Sequence, residues 1–171
     1  YRFIATLAAV CIVALLLRLG ILLLIAPEWD RLLYYSDSQQ YFMLARNLRY
    51  EHVFSPNEAP PYLPGALRTP GYPLFIAVMM LIGGDSVLPL VAITHAILGA
   101  VTVLVTGLLA RGVSGEKTGL IAAALIALSP MQLIMVGYLY SEVLFALVLL
   151  VSCGLLYCGM RHDRAALTLI G

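Results

Sequence analysis

Long apolar runs without charge constrain this chain more than any other feature. Val87–Ala110, Thr118–Tyr140 and Val143–Met160 contain no charged residue, and Phe3–Ala26 contains only Arg18. Each run has about the 18 to 25 residues that a helix needs to cross roughly 30 Å of hydrocarbon. The sequence therefore predicts an all-α, polytopic membrane helix bundle with spans at about 3–26, 87–110, 118–140 and 143–160.

Composition excludes several classes of protein. Of the 171 residues, 62% are hydrophobic and only 11% are charged, whereas a soluble domain is about half apolar and about one quarter charged. The formal net charge of +1 lacks the basic excess that binds nucleic acid. A water-soluble globule, a disordered tail and a nucleic-acid-binding protein are therefore excluded.

Positive residues in the short loops predict the orientation, because Lys and Arg are retained on the cytoplasmic side. Arg2 and the turns at 111–117 and 161–164 fall on the same side of the predicted bundle. The amino terminus is therefore predicted to be cytoplasmic and the loop 27–70 to be external. We expect a multi-pass protein of the cell (inner) membrane, with its site on the external face.

The external segment carries two further helical patterns. Ser36–Leu48 begins with a capping-box sequence, Ser36 and then Gln39, and continues with apolar residues at helical spacing. This pattern predicts an amphipathic helix on the membrane surface. Prolines between Ser55 and Pro73 exclude a continuous helix there. The apolar stretch 72–82 is about half the length of a span, so we expect an interfacial or re-entrant helix.

Two acidic residues are expected at the external surface, each near a helix start. Asp37 opens the loop helix and Glu142 opens the last predicted span, both among tyrosines. Each has a structural interpretation, Asp37 as a helix N-cap and Glu142 as a favourable charge at a helix dipole. Alternatively, two carboxylates on one membrane face can bind a divalent cation or divide general-base and orienting roles.

Two arginines are candidates for binding a lipid phosphate or a sugar. An arginine within a span is costly, so Arg18 is expected either to snorkel to the external surface, roughly 12 Å along the helix, or to contact a lipid phosphate. Arg68, in a stiff external turn, is either a solvated charge or a phosphate ligand. We interpret Tyr72, Tyr138 and Tyr140 as interfacial residues first and sugar-stacking residues second. We interpret His95 as a buried, hydrogen-bonded residue.

These segments follow one another in a recognisable order. A span containing Arg18 precedes Asp37-Ser38-Gln39-Gln40-Tyr41 and then Arg68-Thr69-Pro70-Gly71-Tyr72-Pro73, and Ser129-Pro130 and Tyr140-Ser141-Glu142 come later. The order resembles the amino-terminal part of the bacterial GT-C membrane glycosyltransferases, in the protein O-mannosyltransferase (dolichyl-phosphate-mannose-protein mannosyltransferase-like) and aminoarabinose-transferase group. The resemblance covers nearly the whole chain, and the Arg-Thr-Pro-Gly-Tyr-Pro stretch with its upstream Asp is its most specific part.

The resemblance implies a GT-C type bundle and an activity. The enzyme would transfer a sugar, with inversion, from a polyprenyl-phosphate donor to a lipid, glycan or protein acceptor on the external face. The resemblance assigns the base that takes the acceptor proton to Asp37. The leaving lipid phosphate needs a cation, which Arg18, Arg68 or a divalent metal ion would supply. Glu142 is then a metal ligand or an orienting residue.

Other classes of membrane protein remain alternatives. A transporter or channel segment would also contain intramembrane Arg and His and kinked helices, but most polar residues here gather in one external loop. A polyprenyl-lipid-binding membrane subunit without catalysis is a further alternative. Because 165–171 begin another apolar run, we expect the amino-terminal portion of a larger membrane domain, inactive on its own.

Overall fold

The computed structural model describes residues 1–162, which form an all-α chain of seven helices. The helices are α1 Arg2–Ile25, α2 Ser36–Tyr50, α3 Gly71–Gly83, α4 Val87–Ser114, α5 Glu116–Ala127, α6 Pro130–Ile134 and α7 Glu142–His162. Short 3-10 segments lie at Ala26–Leu33, Gly84–Ser86 and Met135–Gly137. The fifth span predicted to begin at 165–171 lies outside the described residues.

Several of these helices can cross a membrane. Within the described part of the chain, Arg2–Leu33, Gly71–Ser114 and Glu142–Arg161 are long and apolar enough, and the bent pair Glu116–Ala127 and Pro130–Gly137 adds a fourth if it counts as one span. Leu, Ile and Val side chains dominate their exposed surfaces. Helices that are apolar on the outside as well as the inside belong in lipid. The predicted helical membrane bundle is confirmed.

The predicted span 118–140 is a broken helix. α5 ends at Ala127, α6 begins at Pro130, and the two parts are bent by 50°. Proline lacks an amide hydrogen and is tolerated in the first turn of a helix but not in its interior. The helix ends at Gly137, and Tyr138 is already extended, with φ −139° and ψ 154°.

A reversal at Gly84 folds α3 back along α4. Gly84 has φ +50° and ψ −123°, a conformation that only glycine adopts without strain. The Tyr72 hydroxyl lies 3.1 Å from His95 Nε2, and a Cβ on Gly83 would lie 2.9 Å from Leu90 Cδ2. The start of α3 therefore lies beside His95, and the end of α3 lies beside Leu90, which comes earlier in α4. The half-length helix predicted at 72–82 packs antiparallel to the first half of α4.

The apolar stripe of α2 packs against protein. Tyr41, Leu44 and Ala45 are buried, and the Tyr41 ring lies 4.9 Å from the ring of Tyr72 in an edge-to-face arrangement. α3 supplies the apolar surface that covers the stripe, and the position of α2 on the membrane surface stays a prediction. The predicted capping box is absent, since Tyr35 precedes the helix without a side-chain cap hydrogen bond.

Helices α1 and α4 approach closely around a buried arginine. Arg18 is 0% exposed, and its Nη1 donates to the carbonyl oxygen of Ala14 at 2.9 Å. A Cβ on Gly99 would overlap Arg18 Nε and lie 3.0 Å from Arg18 Cδ. The guanidinium therefore points toward the start of α1, the direction in which helical side chains tilt. The predicted alternative, in which Arg18 snorkels to the external surface, is wrong.

Replacing Gly99 tests this packing. We expect Gly99→Ala to destabilise the bundle by about 1–3 kcal/mol, because the added methyl group must displace the guanidinium. Gly20→Ala on α1 is the matched control, since a Cβ there meets no atom within 4 Å. Thermal unfolding in detergent, followed by circular dichroism, compares the two variants. Equal unfolding temperatures would contradict the contact between Arg18 and Gly99.

Candidate functional site

Arg68 joins the proline-rich segment to the first turns of α2. Its Nη2 donates to Asp37 Oδ1 in an ion pair, and its Nε donates to Gln40 Oε1 at 3.1 Å. Its Cζ lies 5.1 Å from the centroid of the Tyr41 ring, a cation–π geometry. These contacts fix the guanidinium against one face of α2.

Asp37 is an oriented carboxylate rather than a helix cap. It lies in the first turn of α2, after the N-cap position held by Tyr35. The side chains of Arg68 and Asp37 are 21% and 47% exposed. Arg68 engages Oδ1, whereas Oδ2 makes no hydrogen bond to any described residue. Asp37 therefore keeps one oxygen available to a ligand.

A second contact ties α2 to the start of α7. The Tyr41 hydroxyl lies 3.2 Å from Ser141 Oγ, 100 residues later in the sequence. Ser141 Oγ in turn donates to Glu142 Oε2 at 3.5 Å. Contacts therefore run from Asp37 through Arg68 and Tyr41 to Ser141 and Glu142. The two predicted acids and the predicted external arginine belong to one group.

Both acids end the same short sequence pattern, a tyrosine, a serine and then the acid. Tyr35-Ser36-Asp37 opens α2 and Tyr140-Ser141-Glu142 opens α7. The ring centroid of Tyr35 lies 5.1 Å from that of Tyr138 and 6.3 Å from that of Tyr140. The repeated Tyr-Ser-acid triplet is thus a sequence signal for residues that meet in space. The predictions did not use this signal, and they gave Tyr35 no role.

The electrostatics of Tyr140 involve both acids. Burial raises the pKa of the Tyr140 phenol, and the negative charges of Asp37 and Glu142 raise it further. Tyr140 lies between the end of the broken span and the start of α7. At neutral pH its hydroxyl therefore keeps its proton and can donate a hydrogen bond to a ligand.

A buried asparagine holds the proline-rich segment in place. Asn47 is 1% exposed, and its Nδ2 donates to the carbonyl oxygens of Ser55 at 2.8 Å and Asn57 at 2.7 Å. Two donated hydrogen bonds from one buried amide fix where the segment leaves α2. The chain then returns to α2 at Arg68.

The remaining predicted residues lie at different depths. Tyr138 is partly buried and packs against Tyr35 and Tyr140, whereas Tyr72 is only 3% exposed and its ring contacts that of Tyr41. His95 is buried and hydrogen-bonded to Tyr72, as predicted. Arg18 makes no polar contact with this group in the described residues.

A divalent metal ion stays a prediction. No group of three or more His, Cys, Asp or Glu side chains in residues 1–162 is arranged to hold a metal ion. Mg²⁺ in phosphate-handling sites uses one or two carboxylates together with substrate phosphates and water. Asp37 and Glu142 match that donor set in type.

Comparisons with protein-family models, with curated proteins and with solved structures give no match to this chain.

Loosening the Asn47 contacts should release Arg68. Asn47→Leu keeps the branched shape of the side chain but removes both donors, and the loss of the two hydrogen bonds together costs about 1–2 kcal/mol. We expect trypsin to cleave after Arg68 about tenfold faster, because cleavage follows the population of the open segment. Gln39→Leu, at an exposed α2 position, is the control. A cleavage rate equal to that of the control would show that Asn47 does not hold the segment.

Proposed function

We propose that this chain belongs to a membrane glycosyltransferase of GT-C type that transfers a sugar, with inversion, from a polyprenyl-phosphate donor to an acceptor hydroxyl. The observation that carries the proposal is the oriented Asp37 carboxylate, paired with Arg68 and linked through Tyr41 to Ser141 and Glu142. These groups meet at the end of the bundle that is predicted to be external. The resemblance of the sequence supports the same assignment.

The proposed reaction is a displacement at the anomeric carbon. The acceptor oxygen forms the new bond to that carbon, and the bond to the phosphate oxygen breaks with its electron pair leaving on the phosphate. The acceptor proton passes to Asp37 Oδ2, the oxygen that Arg68 does not engage. A carboxylate positioned for such a proton transfer typically raises the reaction rate by about 10² to 10⁴-fold, and we expect a similar factor from Asp37.

Arg68 suits a second role in the same step. Its Nε and Nη2 bond to α2, and its Nη1 makes no hydrogen bond to a described residue. A guanidinium donates several hydrogen bonds in one plane and pairs well with phosphate. Arg68 can therefore orient the base and contact the leaving phosphate through different nitrogens. We assign Glu142, exposed at the start of α7, to orienting the acceptor or holding a metal ion.

One observation favours the transporter alternative. Arg18 lies inside the bundle with Nε and Nη2 unpartnered among the described residues. Intramembrane charges commonly line substrate or ion paths. A transporter would need Arg18 and would tolerate the loss of the Asp37 carboxylate, whereas the proposed transferase would not.

Asp37→Asn separates these functions. The variant keeps the shape of the side chain and an oxygen for Arg68 but cannot take a proton. In membranes prepared from cells that express the protein, we expect the rate of transfer of labelled sugar from polyprenyl-phosphate donors to fall about 10² to 10⁴-fold. Asp30→Asn, an exposed acid of the same external segment, should retain full transfer at matched expression.

Two results would contradict the proposal. Full transfer by Asp37→Asn would return Asp37 to a structural role. Absence of transfer by the wild-type protein over a broad panel of donors would favour a transporter or a non-catalytic subunit that binds polyprenyl lipid.

A further inference from the structure

Tyrosines from two distant segments form one aromatic group near the acids, in which two rings are exposed and two are partly buried. We call the group the tyrosine platform; its members are Tyr34, Tyr35, Tyr138 and Tyr140. Ring centroids lie 5.4 Å apart for Tyr34 and Tyr35, 5.1 Å for Tyr35 and Tyr138, and 5.6 Å for Tyr138 and Tyr140. Tyr34 is 76% exposed and Tyr35 is 46% exposed.

The platform differs from the structural tyrosines of this chain. Tyr41 and Tyr72 are 7% and 3% exposed and belong to the apolar core. Interfacial tyrosines of membrane proteins sit at the headgroup level around a bundle, whereas the platform tyrosines contact one another at a single place. The rings of Tyr34 and Tyr35 are exposed and meet edge to face at 89°, so the platform offers separate aromatic faces to a ligand rather than one plane.

Each pair of these tyrosines is followed in the sequence by a carboxylate. Asp37 follows Tyr35 by two residues and Glu142 follows Tyr140 by two, and Glu142 is exposed. A pyranose ring has a face of C–H groups, which packs on the negative face of an aromatic ring, and a rim of hydroxyl donors, which carboxylates accept strongly. An isoprenoid chain would match the rings but would make no hydrogen bond to the carboxylates, and a phosphate would be repelled by them.

We propose that the tyrosine platform binds the pyranose ring of the transferred sugar, with the ring stacked on Tyr35 and its hydroxyls bonded to Asp37 and Glu142. The proposal deepens the glycosyltransferase function and rests on it. Tyr35 is the N-cap residue of α2 and Asp37 lies in its first turn, so a sugar stacked on Tyr35 would lie at the same helix end as the proposed base. The platform would then select the sugar, while Arg68 would bind the phosphate of any polyprenyl donor.

A binding experiment separates sugar recognition from phosphate recognition. The protein in lipid nanodiscs is titrated with polyprenyl-phosphate glucose, polyprenyl-phosphate mannose and bare polyprenyl phosphate. We expect the wild type to bind at least one sugar-bearing lipid about tenfold more tightly than the bare lipid. Tyr35→Leu should abolish that preference and leave the affinity for the bare lipid unchanged.

Further variants control for folding and for the ring itself. Tyr35→Phe keeps the aromatic face and should keep the preference. Tyr50→Leu removes a 58% exposed tyrosine at the far end of α2 and should behave as the wild type. If Tyr35→Leu does not fold, Tyr34→Leu replaces it, because the exposed Tyr34 side chain contributes little to the core. We expect Tyr34→Leu to reduce the preference for the sugar-bearing lipid as well.

The outcomes distinguish sugar binding by the tyrosine platform from the proposed glycosyltransferase function. A sugar preference that survives Tyr35→Leu, or Tyr34→Leu in its place, overturns the platform while the glycosyltransferase proposal stands. Equal wild-type binding of all three lipids also overturns the platform. Failure of the wild type to bind any of them contradicts the proposed function itself.

Discussion

The guanidinium of Arg68 is the contact on which the candidate site depends. Asp37, Gln40 and Tyr41 are three and four residues apart on α2, so they share a helix face, and one planar cation bonds to the first two and lies over the third. A partly exposed ion pair contributes at most about 1 kcal/mol to stability. Its importance therefore lies in orientation: it fixes which oxygen of Asp37 faces a ligand.

The fold brings the second half of the site to Arg68 through a helix that ends early. Residues two apart in a helix point to different faces, whereas in an extended strand they point to the same side. Because the backbone is extended at Tyr138, Tyr138 and Tyr140 stack at 5.6 Å. The break at Pro130 and the end of the helix at Gly137 thus create the surface on which Tyr35 packs.

Periodicity and charge predicted much of this arrangement. They predicted the apolar helices α1, α4 and α7, and they placed Asp37, Arg68 and Glu142 at one end of the bundle. They did not predict which surface covers the apolar stripe of α2, which packs on α3. Nor did they predict the position of Arg18, because the space for its guanidinium is created by Gly99, on a different helix.

Exchanging the charges of Asp37 and Arg68 is the most direct test of the ion pair on which the candidate site depends. Asp37→Arg and Arg68→Asp each place like charges in contact, and the double variant restores opposite charges. Proteinase K digestion of the segment 55–67 measures whether Arg68 still holds it to α2. We expect faster digestion in each single variant and recovery of protection in the double variant. A double variant that is digested as fast as the single variants would contradict the pairing of Asp37 with Arg68.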